Sequence, residues 1–177
     1  PLVEQQGFYT LSGSERLFTM PFSETQTMWQ LSMTMDEEQA RQLSQDGALL
    51  LAHVLQRVAS WPAPVHDPVA ASGAADVWGP PLDDREKPLL EVVGQPAHQH
   101  SLVALVGDAA HPMSPFKGQG ANQALLDAER LARWLGRASL PKSLRCFERE
   151  MAQQTQVKVD ASREAARHLH SPEALLE

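Results

Sequence analysis

A continuous run of apolar residues, 102–106, leads directly into a segment rich in glycine and proline, and this junction constrains the fold more than any other part of the chain. A short apolar run of this kind predicts a strand that is buried on both faces of a sheet. The residues after it include breakers of regular structure, namely Pro112, Pro115, Gly118 and Gly120. We therefore expect a strand followed by a loop, with Asp108 at the carboxyl end of the strand.

The segment after the loop has the periodicity of an amphipathic helix. From Ala121 onward, apolar residues recur at spacings of three and four: Ala124, Leu125, Ala128, Leu131, Ala132 and Leu135. Polar residues take the opposite face: Asp127, Glu129, Arg130 and Arg133. Because Gly118 and Gly120 precede the first turn, its unpaired N–H groups and the positive end of the helix dipole point into the loop. The unit is therefore a candidate anion-binding site.

Two interpretations of this unit stay open on the residues alone. It is either an anion-binding loop or a tight strand-to-helix crossover, in which the glycines serve the turn and Asp108 is a local cap. The pattern fails as a dinucleotide fingerprint, because the last glycine position holds Gln123 and no acidic residue follows at the required distance. A P-loop is also excluded, since the Gly-Lys-Ser/Thr signature is missing.

The ordered residues of this segment resemble the second flavin-binding motif of the FAD-dependent monooxygenases of the aromatic-hydroxylase (p-hydroxybenzoate-hydroxylase-like) family. The match begins with Gly107 and Asp108 and ends with Asp127 and Ala128. The resemblance implies FAD as the cofactor, and it implies cofactor contacts by Gly107, Asp108, Ala109, His111, Pro115, Gly118, Gln119, Gly120, Ala121 and Asn122. One departure is Ala124, where many relatives have glycine.

The resemblance also implies how these residues act. In the family, the aspartate that matches Asp108 hydrogen-bonds the ribityl chain of FAD, and the loop that matches residues 115–120 lies along the isoalloxazine ring. The helix that starts near Ala121 would direct its N-terminus at the pyrimidine side of the flavin, where reduced flavin carries negative charge.

By the same resemblance, NAD(P)H reduces the FAD, oxygen adds to form a flavin hydroperoxide, and one oxygen atom passes to a small organic, aromatic substrate. The cofactor carries this chemistry, and we assign no catalytic acid or base. Two alternatives stay open: a flavin-dependent reductase or oxidase of the same superfamily, and a non-catalytic binding module that kept the loop.

Members of the family carry a Gly-x-Gly-x-x-Gly motif in an N-terminal Rossmann unit, and none of the ten glycines here supplies it. The chain also begins with Pro1 and runs straight into strand-like sequence. We expect a fragment, the C-terminal part of a larger FAD/NAD(P)-binding-fold enzyme, with the missing N-terminal Rossmann half as its partner. Alone, it should be inactive.

The rest of the chain predicts an α/β fold. Strands are expected at residues 8–11, 16–22 and 27–35. They are followed by a helix capped by Asp36 and by a second helix from about Ala48 to Ala59, and a long closing helix runs from Pro141 to about residue 168. Residues 76–78 could form a further short strand. We expect residues 1–75 to form a substrate-domain sheet with helices, and residues 76–177 to form the C-terminal part of an FAD-binding domain.

Substrate contacts are harder to assign. One face of the third strand carries Met28, Gln30 and Ser32, and it either lines a substrate pocket or is the mixed polar face of a half-exposed sheet. The other face, with Trp29, Leu31 and Met33, predicts core.

No metal site is predicted. His98, His100 and His111 have no carboxylate or cysteine at ligand spacing, and His111 is instead expected to hydrogen-bond within the flavin loop. A net charge of −7 and the lack of a basic stripe argue against nucleic acid as a partner. No apolar run is long enough to cross a bilayer, so no membrane partner is expected and a cytoplasmic setting is the default.

Overall fold

The structure, a computed structural model, describes residues 6–85 and 102–176, and it divides into two compact units. The first unit comprises Pro1–Pro81 together with Arg167–Glu177, and the second comprises Leu82–Ala166. The chain therefore leaves the first unit near residue 81 and returns to it at residue 167.

The first unit contains a three-stranded antiparallel sheet in the order β1 (Phe8–Leu11), β2 (Glu15–Pro21) and β3 (Thr27–Met33). Gly13 makes the first turn in the left-handed region, with a φ of 70°, which glycine adopts without the steric cost of a Cβ. In the β2–β3 register, Arg16 lies opposite Ser32 and Leu17 lies opposite Leu31. The predicted strands and the mixed helix-and-strand class are confirmed, with boundaries differing by a residue or two.

Helices follow the sheet and complete its core. Helix α1 spans Glu37–Leu43, α2 spans Gly47–Val58 and the short α3 spans Asp67–Ala70. Asp36 and Asp46 cap the first two of these helices, each accepting hydrogen bonds from two backbone N–H groups of the first turn. The core of the unit is formed by Leu17, Val54, Val58 and Val69, with Trp29, Leu31 and Met33 packed against it. The apolar face predicted for β3 is therefore confirmed.

The second unit contains helix α4 (Gly120–Leu135) and most of the long helix α5 (Leu140–Leu169). Its buried cluster consists of Ala110 from the loop before α4 and Phe147, Met151 and Ala152 from α5. The predicted long closing helix is confirmed to within a residue at each end. Within the described residues, no helix is both long and apolar enough to cross a membrane.

The strand expected at residues 102–106 is not formed in the described part of the chain. A strand requires a ladder of hydrogen bonds with a neighbouring strand, and residues 102–106 are not part of the sheet in the described part of the chain. Its side chains are largely exposed instead of buried on both faces, Val103 by 69%. The strand considered for residues 76–78 is also absent, because a 3-10 turn at Ala74–Asp76 occupies its start.

Helix α4 is turned differently from its predicted orientation. Asp127 and Arg130 were expected on the polar, outer face, but they are buried, with exposed fractions of 0% and 7%. Leu125, expected on the buried face, is 71% exposed. The reason is that polar groups inside the unit form hydrogen bonds with Asp127 and Arg130, so burial costs these side chains little.

Candidate functional site

The candidate flavin loop, residues 107–122, lies wholly within the second unit and joins the apolar segment 102–106 to α4. Two 3-10 turns, Gly107–Ala109 and Pro115–Lys117, give it a compact path. Its predicted cofactor residues divide by burial. Gly107 and His111 are buried, Gln119 and Gly120 are half-buried, and the exposed ones are Asp108, Ala109, Pro115, Gly118, Ala121 and Asn122.

Two glycines of the loop adopt left-handed backbone conformations. Gly107 has a φ of +57° and Gly118 a φ of +61°. The two positions differ in their surroundings, since a Cβ on Gly107 would lie 3.3 Å from Cβ of Ala124, whereas nothing lies within 4 Å of a Cβ on Gly118. At position 118, glycine is therefore favoured only by the backbone conformation of the turn. At position 107, glycine also allows the loop to approach α4 closely.

The carboxylate of Asp108 lies beside the start of α4. A Cβ built on Gly120 would be 3.7 Å from Oδ1 of Asp108, and no side chain caps this end of the helix. The first N–H groups of a helix need acceptors from outside, and the helix dipole favours negative charge at this point. An exposed carboxylate acceptor next to uncapped N–H donors fits the ribityl hydroxyls and the pyrimidine edge of a flavin.

A buried carboxylate beneath the loop holds its first turn in place. Oδ2 of Asp127 accepts a hydrogen bond from the N–H of Gly107 at 3.0 Å and lies 2.5 Å from Nε2 of His111. Oδ1 of Asp127 lies 3.3 Å from Nη1 of Arg130, whose Nη2 donates to Gln154 of α5 at 2.6 Å. The hydrogen-bonding role expected for His111 is present, and its partner is a residue that the helical periodicity placed on the outer face.

The other side of the same turn is held by Arg85. Nη2 of Arg85 donates to the carbonyl oxygen of Ala109 at 2.9 Å, and the carbonyl oxygen of Arg85 accepts from Nη2 of Arg163 at the same distance. Arg163 also forms an ion pair with Asp84 at 2.5 Å, and this hydrogen bond raises the pKa of Arg163. The segment before the loop is thereby fixed to α5.

A pair of serines connects the middle of the loop to α5. Oγ of Ser114 donates to the carbonyl oxygen of Ser162 at 2.9 Å, and Oγ of Ser162 donates to the carbonyl oxygen of Ser114 at 2.7 Å. Ser162 is fully buried and Ser114 is half-buried, so the reciprocal pair is largely shielded from solvent. Neither serine was identified from the sequence as part of the candidate site.

The residues proposed to line a substrate pocket lie in the first unit, on one face of β3. Met28 and Ser32 are half-buried and Gln30 is exposed. Oγ of Ser32 donates to the carbonyl oxygen of Arg16 at 3.3 Å and lies 2.8 Å from Nε2 of His170. His170 was not identified from the sequence, because 138 positions separate it from Ser32 and no local pattern connects them. Burial lowers the pKa of Arg16 on the neighbouring strand.

The histidines do not form a metal site within the described residues. In that part of the chain, no group of three or more His, Cys, Asp or Glu side chains is arranged to hold a metal ion. His98 and His100 lie outside the described residues. His111 is engaged with Asp127, and a ring nitrogen in that contact is not available as a ligand.

Several known proteins resemble this chain in the region of the candidate site. Residues 94–140, which contain the whole loop and α4, match a family model described as an FAD binding domain. The aurachin C monooxygenase/isomerase of Stigmatella aurantiaca is 32% identical over 134 residues, which are 75% of this chain and 32% of that protein. The 3-amino-4-hydroxybenzoate 2-monooxygenase PtmB3 of Streptomyces platensis is 37% identical over 117 residues, which are 65% of this chain and 27% of that protein. In these regions the chain is similar to FAD-dependent monooxygenases of the aromatic-hydroxylase-like family.

The match to an FAD binding domain confirms FAD as the predicted cofactor. A variant of HpxO from Klebsiella pneumoniae, solved in complex with FAD, has a TM-score of 0.70 at 19% identity, covering 97% of this chain and 42% of that one. At such low identity the similarity shows a shared fold. The chain thus spans about a third of the first of these relatives and less than half of the HpxO chain.

Proposed function

We propose that the protein containing this chain is an FAD- and NAD(P)H-dependent monooxygenase that hydroxylates a small aromatic substrate, and that this chain is its C-terminal portion. The observation that carries the proposal is the loop of residues 107–122, where an exposed Asp108 lies beside an uncapped helix N-terminus within a segment that matches an FAD binding domain. A tight crossover alone would not need an acidic side chain exposed at that position.

In this proposal each part of the loop has a separate task. Asp108 accepts hydrogen bonds from the ribityl chain, and residues 115–120 lie along the isoalloxazine ring. The N-terminus of α4 stabilises negative charge on the pyrimidine side by about 1 kcal/mol, or somewhat more where water is excluded. When bound, FAD would supply the redox chemistry, taking electrons from NAD(P)H and delivering one atom of dioxygen to the substrate.

Exposed apolar surface on the second unit supports the idea that a further half completes the FAD site. The residues of this surface are Leu102, Val103, Leu105 and Val106 before the loop and Leu125 and Leu135 on α4. Surfaces of this kind mark interfaces, and an apolar segment next to a helix is what a parallel sheet with a covering helix would bury. We infer that an N-terminal Rossmann half covers this exposed apolar surface.

We assign Met28, Gln30 and Ser32 to the lining of the substrate pocket, and residues 1–75 to the substrate domain that contains it. Support comes from the mixed character of that face, which offers one apolar side chain, one exposed amide and one hydroxyl, as aromatic substrates with polar substituents require. The name of one relative, a 3-amino-4-hydroxybenzoate 2-monooxygenase, is consistent with such a substrate class.

The test is the visible absorbance spectrum of the full-length protein purified without added flavin, beside that of this chain alone. We expect a flavin spectrum in the full-length protein and none in the isolated chain. Asp108→Asn should weaken FAD binding about tenfold or more, because it removes a charged acceptor from the site. Asp83→Asn, which changes an exposed carboxylate of the same unit outside the loop, is the matched control and should leave FAD binding unchanged.

Product analysis then separates the proposal from its alternatives. With NAD(P)H, dioxygen and a panel of hydroxybenzoates, a monooxygenase yields hydroxylated product. Production of hydrogen peroxide alone would indicate an oxidase or reductase instead. A full-length protein that takes up no flavin, even after reconstitution, would indicate the non-catalytic binding module and refute the proposal.

A further inference from the structure

Asp127 is the most deeply buried acidic side chain of the flavin loop's surroundings, with an exposed fraction of 0%. A carboxylate in such a position is costly unless every oxygen is hydrogen-bonded. Because no solvent reaches it, Asp127 does not lie on the exposed surface that the loop offers to a ligand. Its three hydrogen-bonding partners therefore indicate what it does.

Two of these partners flank Asp108 along the chain. Oδ2 of Asp127 accepts from the N–H of Gly107 at 3.0 Å and contacts Nε2 of His111 at 2.5 Å. The carbonyl oxygen of Gly107 in turn accepts from the N–H groups of Ala110 and His111, both at 2.9 Å. One carboxylate oxygen thus fixes both ends of the single turn that carries Asp108.

The third partner neutralises the other oxygen. Nη1 of Arg130 lies 3.3 Å from Oδ1 of Asp127, and Nη2 of Arg130 donates to Oε1 of Gln154 at 2.6 Å. Asp127 and Arg130 are on α4 and Gln154 is on α5, so the position of the carboxylate is set by two helices and not by the loop. The helices therefore hold the loop in place, because Asp127 gives the N–H of Gly107 an acceptor at a fixed position.

We propose that Asp127 is a positioning residue for FAD: its carboxylate holds the Gly107–His111 turn so that Asp108 is pre-oriented toward the cofactor. This inference rests on the proposed function, since it takes FAD as the ligand of the loop. The energetic basis is preorganisation, because a turn that is already ordered loses less conformational freedom when the cofactor binds.

Asp127→Asn is the variant that tests the inference most directly. The amide has one acceptor oxygen where the carboxylate has two, so its NH₂ group must face either Arg130 or the N–H of Gly107, and both of these are donors. In the first orientation the side chain loses the contact to Arg130 that fixes its position, and in the second the turn loses its hydrogen bond from Gly107. We expect the Kd for FAD to rise about tenfold to a hundredfold, the range for loss of a hydrogen bond to a charged group. The spectrum of the flavin bound at saturation should also differ from that of the wild type.

Glu150→Gln is the matched control. Glu150 also connects α5 to α4, accepting from Arg133 at 2.8 Å and from Nε1 of Trp134 at 2.7 Å, but it makes no contact with the loop. This variant should lower the thermal midpoint while leaving the Kd for FAD and the bound-flavin spectrum unchanged. His111→Gln provides a second test if Asp127→Asn does not fold, because it removes one of the two contacts to the turn and should raise the Kd by a smaller factor.

The measurements are FAD titrations into the apo form of the full-length protein, followed by flavin fluorescence and absorbance, with circular dichroism as the check on folding. If wild-type protein binds no FAD, the proposed function fails and the inference fails with it. If wild-type protein binds FAD and both Asp127→Asn and His111→Gln bind it with unchanged Kd, the inference alone is overturned. The same holds if Glu150→Gln weakens FAD binding as much as Asp127→Asn does, because the effect would then be one of general stability.

Discussion

Replacement of Gly107 by alanine should destabilise the apo-protein through two separable effects. With a φ of +57°, the position is in the left-handed region, where a residue with a Cβ pays about 1–2 kcal/mol. The new Cβ would also lie 3.3 Å from Cβ of Ala124, closer than the roughly 3.5–4.0 Å at which carbon atoms attract. Relief of that crowding requires the loop or α4 to shift, at a cost of about 1 kcal/mol. We expect a total loss of about 2–3 kcal/mol in the free energy of unfolding.

Two further variants isolate the contributions. Gly118→Ala introduces the same left-handed strain at a φ of +61° with nothing within 4 Å, so it should cost only about 1–2 kcal/mol. Ala124→Gly alone should cost about 1 kcal/mol as a glycine inside a helix, but it should cost less in combination with Gly107→Ala because it removes the crowded atom. The assay is urea unfolding of the flavin-free protein, followed by far-ultraviolet circular dichroism. Equal losses for Gly107→Ala and Gly118→Ala, together with additivity of the double variant within about 0.5 kcal/mol, would refute the crowding argument.

Two other predictions concern the second unit. Phe147→Ala removes a fully buried ring and should lower the free energy of unfolding by about 3–5 kcal/mol in the same assay. Val157 lies on the same helix, but its side chain is 68% exposed, so Val157→Ala should change the free energy of unfolding by no more than about 0.5 kcal/mol. Hydrogen bonds from Trp134 and Arg133 lower the pKa of Glu150 in the folded protein. The ionised Glu150 carboxylate therefore stabilises the fold above the pKa of an unfolded glutamate, about 4.3. This contribution is lost as the pH falls through the pKa of Glu150 in the folded protein. Thermal midpoints of wild type and Glu150→Gln should therefore differ at pH 7 and converge below about pH 4, and a difference that persists at low pH would contradict the assignment.

Features of this fold that depend on near neighbours in sequence were predictable. Asp36 and Asp46 cap helices because a short acceptor side chain can reach N–H groups two and three residues ahead, which is a local geometric relation. The alternation of Trp29, Leu31 and Met33 likewise needs only the period of a strand.

Features that depend on distant partners were not predictable. Hydrophobic periodicity put Asp127 on the outer face of α4, and only the convergence of Gly107, His111 and Arg130 makes its burial favourable. Residues 102–106 have the composition of a buried strand, yet composition does not supply the neighbour that a strand needs. In the candidate site, the residue types were readable from the sequence, but the hydrogen bonds that orient them were not.

The contact between Ser32 and His170 has a consequence for the order of events during synthesis. Because the first unit includes residues 167–177, its sheet is made long before the segment that completes it has been translated. Helices α4 and α5 can pack together once residue 166 has left the ribosome, whereas the hydrogen bond between His170 and Ser32 must wait until residue 170 has also emerged. A nascent chain halted before residue 170 would therefore carry the sheet with a Ser32 hydroxyl that lacks this partner.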